Sequence, residues 1–214
     1  MVEEYLEYVY RLEEKMGFAR TTDMVKFLGV VPGTVTNTVE WLEKKDLVTH
    51  RPYRGVKLTK KGREIALQVI RRHRLSERLL TDILHMEWGK VHEEACRLEH
   101  SMTEEVITPL EEALNHPKTC PHGNPIPNRS GGVVEEETRP LLDLEEGEES
   151  VIARITEERA DLLQYIGGLG LLPGVRVRLV KKAPLEGPIT IGVGSESHAL
   201  SPAVASVIRV RVCD

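Results

Sequence analysis

Six side chains of the types that bind transition metals recur at helical spacing in the middle of the sequence. His73 and Glu77 are four residues apart, so a helix would place them one turn apart on the same face. Farther along, a second helical stripe holds the other four: His92, Cys96, Glu99 and His100. Imidazole, thiolate and carboxylate are ligands of first-row divalent metals. A single His–Glu pair is usually solvated and a lone cysteine is usually a small buried residue, but the two groups together predict a metal site.

Two helices are needed to position these side chains. Hydrophobic periodicity predicts one helix from Thr59 to about Leu84 and another from Trp88 to Ser101. The segment Ser101-Met102-Thr103-Glu104 is typical of a capping box, and it predicts a third helix that ends at Leu114. Pro109 falls inside this third helix, where we expect it to kink or shorten the helix.

The segment in front of these helices is typical of a winged helix-turn-helix. Apolar spacing predicts helices from Glu3 to Glu14, from Thr22 to Leu28 and from Pro32 to Lys45, with the turn Gly29-Val30-Val31 between the last two. A hairpin follows, with strands Leu47–His50 and Val56–Thr59 around a turn at Pro52-Tyr53-Arg54-Gly55.

Charge is segregated along the chain. The 214 residues carry a formal net charge of −5, but residues 1–75 hold 15 Lys+Arg and 10 Asp+Glu, a net of +5, and the rest hold 14 and 24, a net of −10. The hairpin and its flank contain six bases and no acid: Arg51, Arg54, Lys57, Lys60, Lys61 and Arg63. A basic front favours contact with a polyanion such as DNA.

The second half of the chain differs from the first in amino-acid composition. A segment rich in proline and glycine follows Asn115, and residues 135–149 then contain eight Asp+Glu and one Arg, which predicts a linker. Clusters of β-branched residues between glycine and proline turns predict a small β domain after it, with a short helix near Ala160 to Ile166. Cys120 and His122 are too few to predict a metal site beside a proline loop, and we interpret them as structural. Cys213 has no partner nearby in the sequence and is interpreted as incidental.

Several classes of protein are excluded or disfavoured. The most apolar stretch, Tyr165 to Val175, is shorter than the roughly 20 residues of a membrane span. The acidic start Met1-Val2-Glu3-Glu4 does not look like a signal peptide, and three cysteines without a C-x-x-C pair do not suggest a disulfide framework, so we expect a cytoplasmic protein without membrane contact. The common catalytic motifs are missing, and we do not expect an enzyme.

These residues resemble a known family. The runs Arg72–Leu84 and Lys90–His100 are similar to the diphtheria toxin repressor family of metal-dependent transcriptional regulators, and the likeness extends over the winged helix and the loop Gly123-Asn124-Pro125-Ile126-Pro127. Leu169–Gly174 and the strands after it resemble the FeoA-like domain of many members. The resemblance implies an α+β fold, with a winged helix-turn-helix (1–71), an all-α metal-binding and dimerisation domain (72–127), an acidic linker (128–149) and a small SH3-like β-barrel (150–214).

The resemblance implies two metal sites. The ancillary site would use His73, Glu77 and His92, with Glu158 and Asp161 from the barrel. The primary, activating site would use Cys96, Glu99 and His100 together with Glu4 from the first helix, where Glu7 offers another carboxylate. Iron-responsive members typically carry Met at the position of Glu4 and Cys at that of Cys96, whereas manganese-responsive members carry Asp and Glu. The mixture here favours Fe(II), with Mn(II) as the alternative and Zn(II), Co(II) or Ni(II) as substitutes in vitro.

The family also implies a homodimer on palindromic operator DNA that controls genes of metal homeostasis. The recognition helix would present Thr34, Thr36, Asn37 and Thr38 to the bases, and the wing would hold phosphates through Arg51, Arg54, Lys57 and Lys60. The helices of residues 88–114 would form the dimer interface.

Two alternatives remain open at the level of sequence. A thiol-sensing winged-helix repressor would respond to oxidation of Cys96 and ignore metal. A non-haem metalloenzyme would use His73, Glu77 and His92 as an open triad.

Overall fold

The computed structural model describes residues 2–51 and 54–212. The chain divides into two compact units: residues 1–72 with 127–132, and residues 73–126 with 133–214. Two of our sequence predictions fall on residues that are not described. The turn predicted at Pro52-Tyr53-Arg54-Gly55 lies partly outside the described residues, and Cys213 lies wholly outside them.

The first unit is the predicted winged helix-turn-helix. It contains α1 (Val2–Met16), α2 (Thr21–Leu28), α3 (Pro32–Lys44), β1 (Val48–Arg51), β2 (Gly55–Leu58) and the first part of α4 (Lys60–Arg78). Gly29 ends α2 in the left-handed conformation and donates its N–H to the carbonyl of Val25, and Pro32 begins α3 with the φ that a first helical residue needs.

The core of this unit is formed by the apolar stripes that the sequence shows. Leu6 and Val9 of α1, Met24 of α2 and Val35 and Leu42 of α3 are fully buried in one cluster, together with residues of the hairpin. The hairpin strands β1 and β2 are antiparallel. Ala19 pairs with Val56 of β2 through two backbone hydrogen bonds, and Gly55 must be glycine there because a Cβ atom would lie 2.5 Å from the Ala19 oxygen.

The second unit begins with a group of helices. It holds the end of α4, a π-helical turn (Leu79–Ile83), α5 (Val91–Leu98), a 3-10 turn (Glu99–Ser101) and α6 (Glu104–Ala113). The helix α6 is capped by Thr103 without a side-chain hydrogen bond, so the capping box expected from the sequence is not observed. Pro109 lies inside the helix and does not end it.

The rest of the second unit is an antiparallel sheet with two short helices. Its strands are β3 (Arg139–Pro140), β4 (Glu149–Ile155), β5 (Arg176–Lys182), β6 (Ile189–Val193), β7 (Glu196–Leu200) and β8 (Ile208–Val212), and its helices are α7 (Ala160–Gly168) and α8 (Pro202–Val207). The strand order is β3-β8-β4-β5-β6-β7. In the part of the chain that the structure describes, no ladder joins the edge strands β3 and β7, so this SH3-like sheet is not closed into a complete barrel.

Part of the predicted acidic linker belongs to this sheet. Leu141 and Leu144 are fully buried in the core of the β domain, because they are apolar residues between the acidic ones and face inward at the start of the domain. The predicted α+β class is confirmed. No described helix has the length and apolar character that crossing a membrane requires.

Candidate metal centre

His73, Glu77 and His92 converge on one point inside the second unit. His73 and Glu77 stand one turn apart on α4, and neither has any exposed side-chain surface. The helix α5 brings in His92 from the other side. His73 Nε2 lies 3.1 Å from Glu77 Oε1 and 3.1 Å from His92 Nδ1, and His92 Nδ1 lies 3.3 Å from Glu77 Oε1. Three potential ligand atoms therefore form a nearly equilateral triangle.

The size of this triangle suits a metal ion. Bonds of about 2.0–2.1 Å to nitrogen and oxygen place tetrahedral ligand atoms roughly 3.3–3.4 Å apart, close to the edges observed. Glu158 completes the group, since its Oε2 lies 3.6 Å from His92 Nδ1 and all four ligand atoms fall within 4.8 Å of one another. Asp161 does not join them, because its side chain is exposed and bound to Arg159 in the first turn of α7.

The hydrogen bonds around His73 leave its Nε2 free to coordinate a metal. His73 Nδ1 lies 2.7 Å from Glu99 Oε2, and an ionised carboxylate accepts but does not donate, so Nδ1 carries the hydrogen. The Nε2 atom of a neutral imidazole then presents a lone pair toward the Glu77 oxygen. Two acceptors at 3.1 Å require a cation or a proton between them.

Protons fill this role when no metal is bound. Burial opposes protonation of His73, but the charge of Glu77 raises the pKa of His73 well above its usual value. Burial likewise opposes protonation of His92, but hydrogen bonds to Cys96 and Glu77 raise the pKa of His92 to about 9. Although burial favours its neutral form, the surrounding imidazoles hold the pKa of Glu77 well below its usual range. The centre therefore favours positive charge against the cost of burial.

The residues predicted for the primary site lie beside this group. Cys96 Sγ is 3.8 Å from His92 Nε2 and 3.9 Å from His73 Nδ1, and Glu99 Oε1 is 3.4 Å from His100 Nε2. Glu99 is buried, whereas Cys96 and His100 are exposed. Desolvation opposes ionisation of Cys96, but its hydrogen bonds to the two imidazoles lower the pKa of the thiol, which favours thiolate ligation.

Glu4 and Glu7 belong to the first unit. Glu4 is half-buried on α1. Glu7 is buried, and it accepts a hydrogen bond from Arg11 of the same helix at 2.9 Å.

Cys120 and His122 form a second group of potential ligands that the sequence does not reveal. Glu77, Cys120, His122 and Glu158 each offer one ligand atom, all within 4.8 Å of one another, and all four residues are buried. The sequence shows only two potential ligands at Cys120 and His122, and we therefore interpret them as structural. The structure adds Glu77 and Glu158 to them. The residues are far apart along the chain, and only the packing of the 120–127 loop against the β domain brings them together.

Backbone and aromatic contacts fix this loop. His122 Nε2 donates to the carbonyl of Trp88 at 3.2 Å, and the two rings meet edge to face with centroids 4.7 Å apart. Gly123 has a φ of +85°, and a Cβ there would lie 2.1 Å from the Ala153 oxygen. Asn124 Nδ2 donates to the carbonyl of Ile155 and to Glu158 Oε1. The motif Gly123-Asn124-Pro125-Ile126-Pro127 therefore places the loop beside the ligands.

The side chains predicted to contact DNA lie on the surface of the first unit. Thr34, Thr36 and Asn37 of α3 are exposed and Thr38 is half-buried, while the opposite face of the helix packs in the core. The four basic residues predicted to contact phosphate are all exposed: Arg51, Arg54 and Lys57 of the hairpin and Lys60 at the start of α4. This arrangement leaves one polar helix face and one basic hairpin available to a nucleic acid.

Three family models match the chain in succession. Residues 1–56 match the iron dependent repressor N-terminal DNA binding domain, residues 59–128 match the iron dependent repressor metal binding and dimerisation domain, and residues 139–212 match the FeoA domain.

Curated proteins match over almost the whole length. The iron-dependent repressor IdeR of Mycobacterium tuberculosis is 35% identical over 97% of this chain and 95% of its own length. The diphtheria toxin repressor of Corynebacterium efficiens is 32% identical over 99% of this chain and 95% of its own.

Solved structures show the same fold. A manganese-dependent transcriptional repressor in complex with manganese is 28% identical, covers 100% of both chains and superposes with a TM-score of 0.91. The IdeR of T. acidophilum is 29% identical, covers 99% of this chain and 97% of its own and gives a TM-score of 0.84. These relatives give no support to the metalloenzyme or the thiol sensor. The chain belongs to the diphtheria toxin repressor family of iron- and manganese-dependent transcriptional repressors, with the FeoA domain at its C-terminal end.

Proposed function

We propose that this protein is a metal-activated repressor that binds operator DNA as a homodimer and controls genes of metal homeostasis. The observation that carries the proposal is the buried triangle of His73 Nε2, His92 Nδ1 and Glu77 Oε1, with edges of 3.1–3.3 Å. Buried imidazole nitrogens and carboxylate oxygens that face one another are stable only when a proton or a metal cation lies between them. In a protein with a basic winged helix, binding of a metal cation at such a site is a plain way to control DNA binding.

The ligands divide into two sets. We assign the ancillary site to His73, Glu77, His92 and Glu158, and the activating site to Cys96, Glu99, His100 and Glu4. Glu4 comes from the DNA-binding unit and the other three from the second unit, so a metal bound to all four would restrict the relative orientation of the two units. Selection of one orientation from several would fix the spacing of the recognition helices in a dimer.

Fe(II) is the metal that we favour, with Mn(II) as the alternative. The activating set mixes one thiolate, one imidazole and two carboxylates, and a mixed set of this kind suits Fe(II) better than the harder Mn(II). Relatives are named for iron and for manganese, and solved structures of one of them contain zinc or cadmium. Zn(II), Co(II) and Ni(II) are therefore expected to bind in vitro.

The homodimer is supported by exposed apolar side chains on the helical part of the second unit. Ile83, Leu84 and Val106 are 45%, 58% and 47% exposed, which is unusual for large apolar residues. Burial of these residues between two copies would remove them from water, and a two-fold dimer matches a palindromic operator.

The test is a DNA-binding titration. Fluorescence anisotropy of metal-stripped full-length protein on DNA from upstream of its own gene, titrated anaerobically with Fe(II), Mn(II) and Zn(II), is expected to show tight binding that a chelator reverses. The order of effective concentrations ranks the metals. Binding that ignores metal and chelator but fails under peroxide would contradict the proposal and favour the thiol sensor.

Variants separate the activating site from the rest. Cys96→Ser is expected to abolish the metal response, whereas Glu93→Gln, an exposed carboxylate on the same helix, is expected to keep it. Glu4→Gln is expected to leave metal bound by the second unit but to weaken the DNA response. A Glu4→Gln protein that responds like the wild type would remove Glu4 from the assignment.

A further inference from the structure

Trp41 is a large apolar side chain that stays exposed on the recognition helix. It lies on α3 and is 44% exposed, although tryptophan is largely buried in most proteins. The core of the first unit takes three other residues of α3 instead: Val35, Val39 and Leu42. Packing within this unit therefore does not account for a tryptophan at this position.

The exposed face of α3 that carries Trp41 also carries Asn37, the residue that we expect to contact a base. Trp41 follows Asn37 by four residues, which places the two about 40° apart around the helix and about 6 Å apart along it. The first turns of a recognition helix meet the base edges, so its later turns lie nearer to the sugar-phosphate backbone. A duplex that Asn37 contacts would therefore bring its backbone close to Trp41.

The indole N–H of Trp41 is a donor that the protein does not use. Among the residues that the structure describes, none forms a hydrogen bond with Trp41 Nε1. In contrast, the other tryptophan of the chain, Trp88, donates its Nε1–H to the carbonyl of Pro121 at 2.9 Å. An indole can donate but cannot accept, so Trp41 suits a partner that supplies an acceptor. Phosphate oxygens of DNA are acceptors of this kind.

A positive charge lies beside the same ring. Lys45 Nζ is 5.7 Å from the centroid of the Trp41 ring, which is within the range of a cation–π contact. Lys45 directly follows α3 and is itself exposed. The ammonium and the indole N–H therefore belong to one surface patch, where an anion would meet a cation and a neutral donor together.

The acids of α3 lie farther from this patch than the bases do. Glu40 is exposed but lies about 100° from Trp41 around the helix, and Lys44 lies between the two. Glu43 Oε1 accepts a backbone N–H of the hairpin at 2.9 Å. The two basic residues nearest to Trp41 in angle are Lys44 and Lys45, so an anion can approach the ring from this side.

We propose that Trp41 and Lys45 bind one phosphate of the operator backbone. Trp41 Nε1–H donates to a phosphate oxygen, and the ammonium of Lys45 supplies positive charge beside it. Such a contact positions the recognition helix without reading the sequence, so Trp41 acts as a positioning residue next to Asn37. The inference rests on the proposed function in taking DNA as the partner of α3.

The test compares full-length wild type with Trp41→Phe, which keeps an aromatic ring but lacks the donor. Both proteins are saturated with whichever of Fe(II), Mn(II) and Zn(II) gives the tightest DNA binding, and anisotropy is measured on operator and unrelated DNA at several salt concentrations. Loss of a hydrogen bond to a charged group should weaken binding to both DNAs by about 10-fold. The salt slope should stay the same in Trp41→Phe, because the indole is neutral, but Lys45→Gln should reduce it by about 1.

Tryptophan fluorescence observes the contact directly. The chain has two tryptophans, so the difference between wild type and Trp41→Phe isolates the emission of Trp41 from that of Trp88. DNA is expected to shield Trp41 from quenching by acrylamide. Phe27→Leu is the matched control, since Phe27 is an aromatic residue of the same unit that is 52% exposed and packs on Tyr8 of α1. This variant is expected to keep both the DNA affinity and the shielding.

Several outcomes overturn the inference. Equal DNA affinity of Trp41→Phe and wild type, or unchanged access of acrylamide to Trp41 when DNA binds, would leave the repressor function standing without this contact. A loss of affinity on the operator alone would make Trp41 a reader of bases, and an unchanged salt slope in Lys45→Gln would remove the ammonium from the phosphate. If metal-loaded wild type binds no DNA, the inference and the proposed function fail together.

Discussion

One imidazole connects the two ligand sets that the sequence presents as separate. His73 Nδ1 lies 2.7 Å from Glu99 Oε2, while Nε2 of the same ring faces Glu77 in the ancillary group at 3.1 Å. A metal-bound histidine that donates its other N–H to a carboxylate is held in one orientation and is a stronger ligand. Glu99 is therefore placed to support the proposed ancillary site as well as being a proposed ligand of the activating site.

Loss of Glu99 is expected to weaken both sites. In a Cys96→Ser protein, where the ancillary ligands remain, Glu99→Ala should lower the affinity of the ancillary site by about 10–100-fold, as loss of an outer-shell partner does. Competition with a chelator for Zn(II) measures this affinity. Glu93→Ala on the same helix is the control and should leave it unchanged. An unaltered affinity in Glu99→Ala would show that the bond to His73 does not support the ancillary site.

The candidate ligands on the helices could be grouped from the sequence, but those in the loop could not. His73 and Glu77 share α4, and His92 and Cys96 share α5, so the spacing of 3.6 residues per turn is enough to group them. Cys120 and His122 lie in a loop without periodicity. Their proximity to Glu77 depends on contacts such as that between His122 and Trp88, which no sequence period encodes.

The family resemblance implies two carboxylates from the barrel, Glu158 and Asp161, and the structure places them in different environments. In the structure α7 begins at Ala160, so Glu158 precedes the helix and turns inward to Asn124, whereas Asp161 pairs with Arg159 at the surface. The sequence also predicts a helix from near Ala160, but its spacing does not show that a residue just before the helix reaches the interior.

This difference gives a second prediction. Glu158→Gln should weaken metal binding at the ancillary group by at least about 10-fold, because a direct ligand matters no less than an outer-shell one. Asp161→Asn should leave metal binding unchanged, since the side chain is exposed and paired with Arg159. Isothermal titration with Zn(II) compares the two. Equal losses in both variants would mean that α7 carries a ligand that the structure places at the surface.

The stability of the metal-free protein should fall as the pH rises above neutral. Despite the opposing effect of burial, hydrogen bonds to Cys96 and Glu77 raise the pKa of His92 to about 9, and the charge of Glu77 raises the pKa of His122 to about 11. A histidine whose pKa is raised in the folded state contributes its full stabilisation at pH values below its ordinary pKa of 6.5. This stabilisation is lost progressively as the pH rises through the folded values.

Metal binding should show the opposite dependence, because the ligand must be a neutral imidazole. The increase in Tm that Zn(II) produces should therefore grow from neutral pH to about pH 9, and binding should release protons. Thermal unfolding with and without Zn(II), and calorimetry in buffers of different ionisation enthalpy, measure the two effects. An increase in Tm that shrinks with pH, or binding without proton release, would contradict this assignment of the histidines.

Mutations in the recognition helix and in the wing should change DNA affinity in different ways. Asn37 is exposed on α3, and an asparagine can pair with an adenine edge, so Asn37→Ala should cost about 1–3 kcal/mol at the operator and little on unrelated DNA. Lys57 is exposed on β2 and should contact phosphate, so Lys57→Ala should weaken both DNAs and reduce the salt slope by about 1.

Anisotropy titrations at several salt concentrations, on operator and unrelated DNA, distinguish these outcomes. Glu40→Gln is the control, since it changes an exposed residue of α3 without removing a predicted base contact. If Asn37→Ala weakens both DNAs equally, Asn37 does not read the sequence. If Lys57→Ala leaves the salt slope unchanged, Lys57 makes no phosphate contact and its positive charge acts only at a distance.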